Sequence, residues 1–160
     1  MNQPGKQSMK IPDDIVFFLE KQGFLIVATI DENGYPHTSC KGLVEIREDK
    51  IILMDLYRGH TYRNLLKNPF LSATSVDEHL YKGYCLKGGG RLVKKDEMKE
   101  FHLENWRDRK VDRTATRVIK NIRGEKGHGA HPEAAFPEPK HLIVLQVEEI
   151  VDLAQHTRKK

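Results

Sequence analysis

The stretch FLIVATIDENGYPHTSCKGLVEIREDKIILMDL, Phe24 to Leu56, decides the fold. Its first seven residues, Phe24 to Ile30, form an apolar run of strand length, read as a buried strand. Asp31-Glu32-Asn33-Gly34 follows, and Asn-Gly supplies the positive backbone angles of a tight hairpin turn. The chain resumes as Tyr35 to Ile46, turns at Arg47-Glu48-Asp49 and returns as Lys50 to Leu56. Three strands joined by short turns make an antiparallel meander.

The flanks extend that meander. On the N-terminal side, Pro12-Asp13-Asp14 opens a helix, since proline suits the first turn and carboxylates suit the positive end of the dipole. Ile15, Phe18, Leu19 and Gln22 keep helical spacing, and Gly23 is the stop. Residues 1–10 read as a flexible tail. On the C-terminal side, Tyr57 to His60 is a turn and Thr61 to Asn68 a short helix, with Thr61 as its N-cap and Pro69 beyond its end. Phe70 to Val76 and Tyr84 to Val93 are strands, the latter containing Gly88-Gly89-Gly90. Glycine within a strand marks a bulge, a bend or a close backbone approach. Residues 95–126 are a helical segment, broken near Lys110, with Val111, Ala115, Val118, Ile119 and Ile122 on one face. Residues 127–140 form a long loop, 141–151 a closing strand and 153–160 a basic tail. One domain over residues 11–152 results, mainly β with flanking helices. Six strands, mostly linked by hairpins, predict a small antiparallel barrel.

Composition narrows the class. No run approaches the roughly 18 apolar residues of a spanning helix, and the polar start, Met1 to Lys10, carries no secretory core. The two cysteines, Cys40 and Cys85, form neither a Cys-x-x-Cys pair nor a disulfide framework. They read as buried free thiols, and the cytoplasm follows as the compartment. The net charge is +4, and the segment Lys94 to Lys126 holds 11 basic and 7 acidic residues. The signs alternate there, as on a solvated helix face, which argues against a nucleic-acid footprint.

Several constellations bear on chemistry. His128 and His131 lie in the long loop without a carboxylate or cysteine at ligand spacing, which favours an exposed loop over a metal site. Ser39, Cys40 and Ser72 lie on strands with His37 near, but no Gly-x-Ser-x-Gly elbow is present. Cys40 beside Lys41 reads as a packed strand cysteine before a thiolate. The glycine run lacks the Lys-Ser/Thr of a P-loop. Arg58-Gly59-His60-Thr61 couples a turn to a helix start, where free amides favour an anion, and Lys41 on a preceding strand adds a positive charge. Simple capping by Thr61 beside an exposed Arg58 fits the same residues.

Four blocks taken in order resemble the FMN-binding split-barrel family related to pyridoxamine 5′-phosphate oxidase. They are Ala28-Thr29-Ile30-Asp31-x-x-Gly34-x-Pro36-His37, Leu53-Met54-Asp55, His60-Thr61-x-x-Asn64-Leu65-x-x-Asn68-Pro69, and Gly83-Tyr84-Cys85-Leu86-Lys87-Gly88. The resemblance spans Ile11 to Lys94. It implies a split β-barrel, a six-stranded antiparallel Greek-key barrel, and a homodimer holding FMN between its subunits. By position, Ser39, Cys40 and Lys41 look like the strand beside the isoalloxazine, and Met54 and Asp55 like the next strand's contact, largely through backbone. Gly59, His60 and Thr61 match the phosphate turn, with its cationic contribution weaker or taken over by Lys41 or Arg58, and Asn64 matches the family's Asn in the following helix, which also suits a structural role. The oxidase branch has Ser-Arg-Lys where this chain has Gly59-His60-Thr61, and its Arg-containing C-terminal motif is missing from Val147 to Lys160. The resemblance thus implies a relative of the oxidase, an FMN-dependent oxidoreductase acting on an unidentified small substrate. Its alternatives are a non-enzymatic FMN carrier or sensor, or the same barrel binding a deazaflavin or haem. Residues 127–140 and the preceding helix are placed to cover the flavin, with Trp106 in the core before a stacking role.

Overall fold

A computed structural model of the chain describes residues 6–154. The first five residues of the expected N-terminal tail and residues 155–160 of the basic tail lie outside the described residues. Among the described residues there are six strands: β1 (Phe24–Ile30), β2 (Pro36–Arg47), β3 (Lys50–Asp55), β4 (Phe70–Asp77), β5 (Lys82–Lys94) and β6 (His141–Asp152). Three α-helices accompany them: α1 (Asp13–Gln22), α2 (His60–Lys67) and α3 (Glu100–Ile122). The strands close into an antiparallel barrel in the order β1-β2-β3-β6-β5-β4. The meander β1 to β3 forms half of it. After β3 the chain does not turn back on itself, because β3's free edge is taken by β6. Instead α2 carries the chain to β4, which pairs with β1.

That crossing places α2 over the barrel end where β3 stops and β6 starts. Thr61, Asn64 and Leu65, spaced three and one residues apart, are its buried face. Pro69 disfavours helix at Asn68, which is extended and ends α2. At the other end α1 buries Ile15, Phe18 and Leu19, and Gly23, at φ 72°, ends it in the left-handed conformation. The lead-in to α1 is tied to the β2–β3 turn by Ile11 N–H donating to Glu48 O at 2.9 Å.

Alternation along β3 builds two cores. Ile51 and Leu53 point into the barrel with Leu25, Val27, Leu43, Ile143 and Leu145. Ile52 and Met54 point outward and join Val44, Val93 and Leu142 beneath α3, whose anchor is Trp106. Trp106 is buried, as the core reading expected. Gly88 marks both a register shift of β5 against β6 and a close approach, since a Cβ there would lie 1.9 Å from Gln146 O.

Five expectations change. Thr61 is not the N-cap of α2: Gly59 takes that position, and Thr61 sits in the first turn with its hydroxyl on Ser39. Cys40 is exposed beside an open cavity and Cys85 half-buried, because each stands on the outer side of its strand, Cys85 between the core residues Tyr84 and Leu86. The segment expected to be helical from residue 95 opens with a 3-10 turn, Lys95–Glu97, and its α-helix starts at Glu100 and runs unbroken past Lys110, since nothing in its interior is proline or glycine. The face Val111, Val118, Ile119 and Ile122 is exposed, because α3 is anchored through Trp106, its one buried residue. Finally, β1 is buried on its inner side alone: Phe24, Ile26 and Ile30, on the outer side, are 48%, 39% and 38% exposed.

Candidate functional site

The end of the barrel under α2 is polar. Three adjacent strands each deliver one inward side chain. Asp55 on β3 pairs in register with His141 on β6, and Lys41 on β2 comes one residue before the Gly42–Met54 pair. Lys41 Nζ donates to Asp55 Oδ1 at 2.6 Å, and His141 Nε2 lies 3.0 Å from Asp55 Oδ2. Burial pushes the Asp55 carboxyl up, but the hydrogen bonds and charge of His141 and Lys41 outweigh it and hold it below the ordinary carboxylate range. Tyr62 from α2 packs edge-on against the His141 ring, centroids 4.7 Å apart. The Asp55 side chain is thus committed to its neighbours.

Next along β2 lies the helix start. Ser39 Oγ and Thr61 Oγ1 are 2.8 Å apart, and the His37 and His60 rings meet with centroids 5.1 Å apart. The Arg58 guanidinium rests over the Tyr62 ring, 5.6 Å from its centroid. Gly59 N–H is used by Tyr57 O, while Gly59 itself faces open space where a side chain would stand. The amides of the first turn of α2 have no partner within the helix. Two hydroxyls, two imidazoles and a guanidinium therefore gather at a helix N-terminus, the donor set an anionic group needs. Asn64 is different. It is buried, and its amide donates to Thr29 Oγ1 at 3.0 Å, joining α2 to β1. That is a structural role.

Beside Lys41 opens a cavity of about 340 Å³. Its barrel wall is Phe24, Cys40, Lys41, Gly42, Met54 and Asp55, continued by Leu56 and Tyr57. Gly42 makes room for Met54, whose Cε would lie 2.1 Å from a Cβ at that position. The opposite wall is Arg113 from α3 with Glu133 and Phe136 from the segment before β6. The long loop is therefore not featureless: Pro132–Ala135 is a 3-10 turn. Arg113 Nε donates to Glu133 Oε2 at 2.9 Å and Arg113 Nη1 to Gly23 O at 2.6 Å, fastening that wall. Cys40, Lys41, Met54 and Asp55 meet at the cavity, and Ser39, Arg58, Gly59, His60 and Thr61 meet at the helix start beside it.

The residues 11–153 match the family model described as pyridoxamine 5′-phosphate oxidase. The chain belongs to this family. No curated protein matches its sequence. Among solved structures, HupZ of Group A Streptococcus superposes with a TM-score of 0.62 at 18% identity, covering 94% of this chain and 99% of that one. A pyridoxamine 5′-phosphate oxidase-related, FMN binding protein from Nostoc punctiforme PCC 73102 gives 0.53 at 15% identity, covering 87% and 81%. An F420 reductase gives 0.54 at 16% identity, covering 88% and 98%. At these identities the structural likeness shows the fold, and the barrel is the split barrel of the pyridoxamine 5′-phosphate oxidase family.

Residues of the site not singled out in the sequence include His141, Arg113, Glu133 and Phe136. His141 left a trace. It stands two residues before Ile143 in the inward period of β6, a polar residue at a core position. Arg113 and Glu133 left none, because a helix and a loop distant in sequence meet only in the folded chain. Among the described residues no group of three or more His, Cys, Asp or Glu is placed to hold a metal ion, and His128 and His131 belong to no such group. No helix among them is long and apolar enough to cross a membrane.

Proposed function

We propose that this protein is an FMN-binding flavoprotein and an oxidoreductase that passes electrons through the flavin to a small substrate. One observation carries the reading: the anion-binding start of α2 and a partly apolar cavity lie side by side along β2, joined by Ser39 and Lys41. A nucleotide with a phosphate at one end and a flat ring at the other needs both, in that order. The donor set fits the cofactor. Ser39, Thr61, His60, Arg58 and the first-turn amides of α2 would hold the phosphate. Cys40, Lys41, Met54 and the Asp55 backbone would face the ring. FMN supplies hydride and electron transfer when bound, and the protein contributes orientation and electrostatics. Lys41, held in place and charge-balanced by Asp55, would present its ammonium N–H groups toward the ring's edge. The structural neighbours named for FMN binding and for F420 reduction support a flavin or deazaflavin ligand.

A homodimer belongs to the same reading. Phe24, Ile26 and Ile30 on β1 and Phe70 on β4 leave an apolar outer face uncovered within one chain. Phe24 also lines the cavity, so a second copy on that face would complete its wall.

Comparing FMN with riboflavin tests the phosphate half. The wild type is expected to bind FMN at least about tenfold tighter, since charge-assisted hydrogen bonds to phosphate are strong. The double substitution Ser39→Ala with Thr61→Ala should shrink that ratio without altering riboflavin affinity. Equal affinity for the two ligands in the wild type would overturn the assignment.

A further inference from the structure

The cavity carries two opposed ion pairs. Lys41 and Asp55 form one on the barrel wall, and Arg113 and Glu133 form the other on the facing wall. The four formal charges cancel. Neither cation is a free anion receptor. Lys41 is held by Asp55 at 2.6 Å. Arg113 is held at two points, by Glu133 at 2.9 Å and by Gly23 O at 2.6 Å. The pair is shielded, with 23% and 18% of the two side chains exposed. The rest of the lining carries no charge and includes Phe24, Met54, Leu56 and Phe136, which favours a flat apolar body.

We infer that the wall of Arg113, Glu133 and Phe136 is the substrate-facing wall of the cavity and selects an uncharged, planar compound over an anionic one. The inference rests on the flavin reading and names the substrate class for that site. Glu133 is the specificity-determining residue. Its carboxylate occupies Arg113 and repels a second negative charge beside the one held at the start of α2. An anionic substrate would have to break the pair and leave Glu133 uncompensated in a shielded place, which costs more than a new contact returns. Arg113 acts as a positioning residue, because it holds Glu133 and joins α3 to the β1 lead-in.

The test uses one ring system with and without phosphate, 2-naphthol and 2-naphthyl phosphate. Each is titrated into the full-length FMN-loaded protein, and binding is read from perturbation of the flavin absorption and from backbone NMR shifts of Phe24 and Phe136. The wild type should bind 2-naphthol about tenfold or more tighter than the phosphate, the scale of one partly screened charge repulsion. Glu133→Gln should raise affinity for 2-naphthyl phosphate about tenfold and leave that for 2-naphthol unchanged. Three results would overturn the inference: equal or tighter binding of the phosphate by the wild type, equal shifts for both probes in Glu133→Gln, or no binding of either probe. The cofactor reading is scored separately, from flavin retention in the same samples. If FMN is not retained, the flavin reading fails and the inference, which rests on it, falls with it; retained FMN without the charge selectivity overturns the inference alone.

Discussion

Lys41 Nζ and Asp55 Oδ1 meet at 2.6 Å across neighbouring strands, with 12% and 4% of the two side chains exposed. With His141 behind it, Asp55 joins β2, β3 and β6 at the end of the barrel. Removing one partner of a buried pair strands the other's charge. Asp55→Ala is therefore expected to destabilise the fold by about 3–5 kcal/mol, as is usual for breaking a buried pair. Urea unfolding of the two proteins measures it. A loss within about 0.5 kcal/mol, the scale of an ordinary surface substitution, would show that the pair does not hold the barrel end.

The same group sets a pH dependence. The Asp55 carboxyl is pushed up by burial but held below its ordinary range by His141 and Lys41. A depressed carboxyl contributes stability in full above its unfolded value of about 3.9 and loses it as pH falls through the folded value. The stability gap between wild type and Asp55→Asn should therefore be constant from neutral pH down to about 5 and narrow below about 4. Denaturant midpoints across that range read it, and a gap that widened on acidification would contradict the assignment.

Much of this arrangement was legible in the sequence. The hairpin at Asn33-Gly34 and the apolar run Phe24 to Ile30 sufficed for the meander, and Gly88 announced its close approach to β6. The start of α2 declared itself through Arg58, Gly59, His60 and Thr61, although the cap was assigned to Thr61 when it is Gly59. What stayed hidden depends on which faces meet. The outer rows of β1 and β3 look alike, yet α3 covers Met54 and leaves Ile26 open. The pattern of α3 showed an apolar face from Val111 to Ile122, but periodicity does not say what that face meets. His141 was readable in hindsight from the inward period of β6. The pairing of Arg113 with Glu133 was not, because it spans a helix and a loop.

The uncovered outer face of β1 and β4 bears on assembly. Light scattering on the purified protein should give the mass of two chains, and Ile26→Asp should shift it toward one, since a charge at the centre of an apolar interface is costly to desolvate. A single-chain mass for the wild type would overturn the dimer.

The central claim is that the strip along β2, from the Thr61 helix start to the Lys41 cavity, holds FMN. The visible absorption spectrum of the purified protein, recorded again after adding FMN and removing the excess, tests it most directly. The account predicts retained flavin bands at one FMN per chain. A protein that stays colourless after that treatment would contradict it.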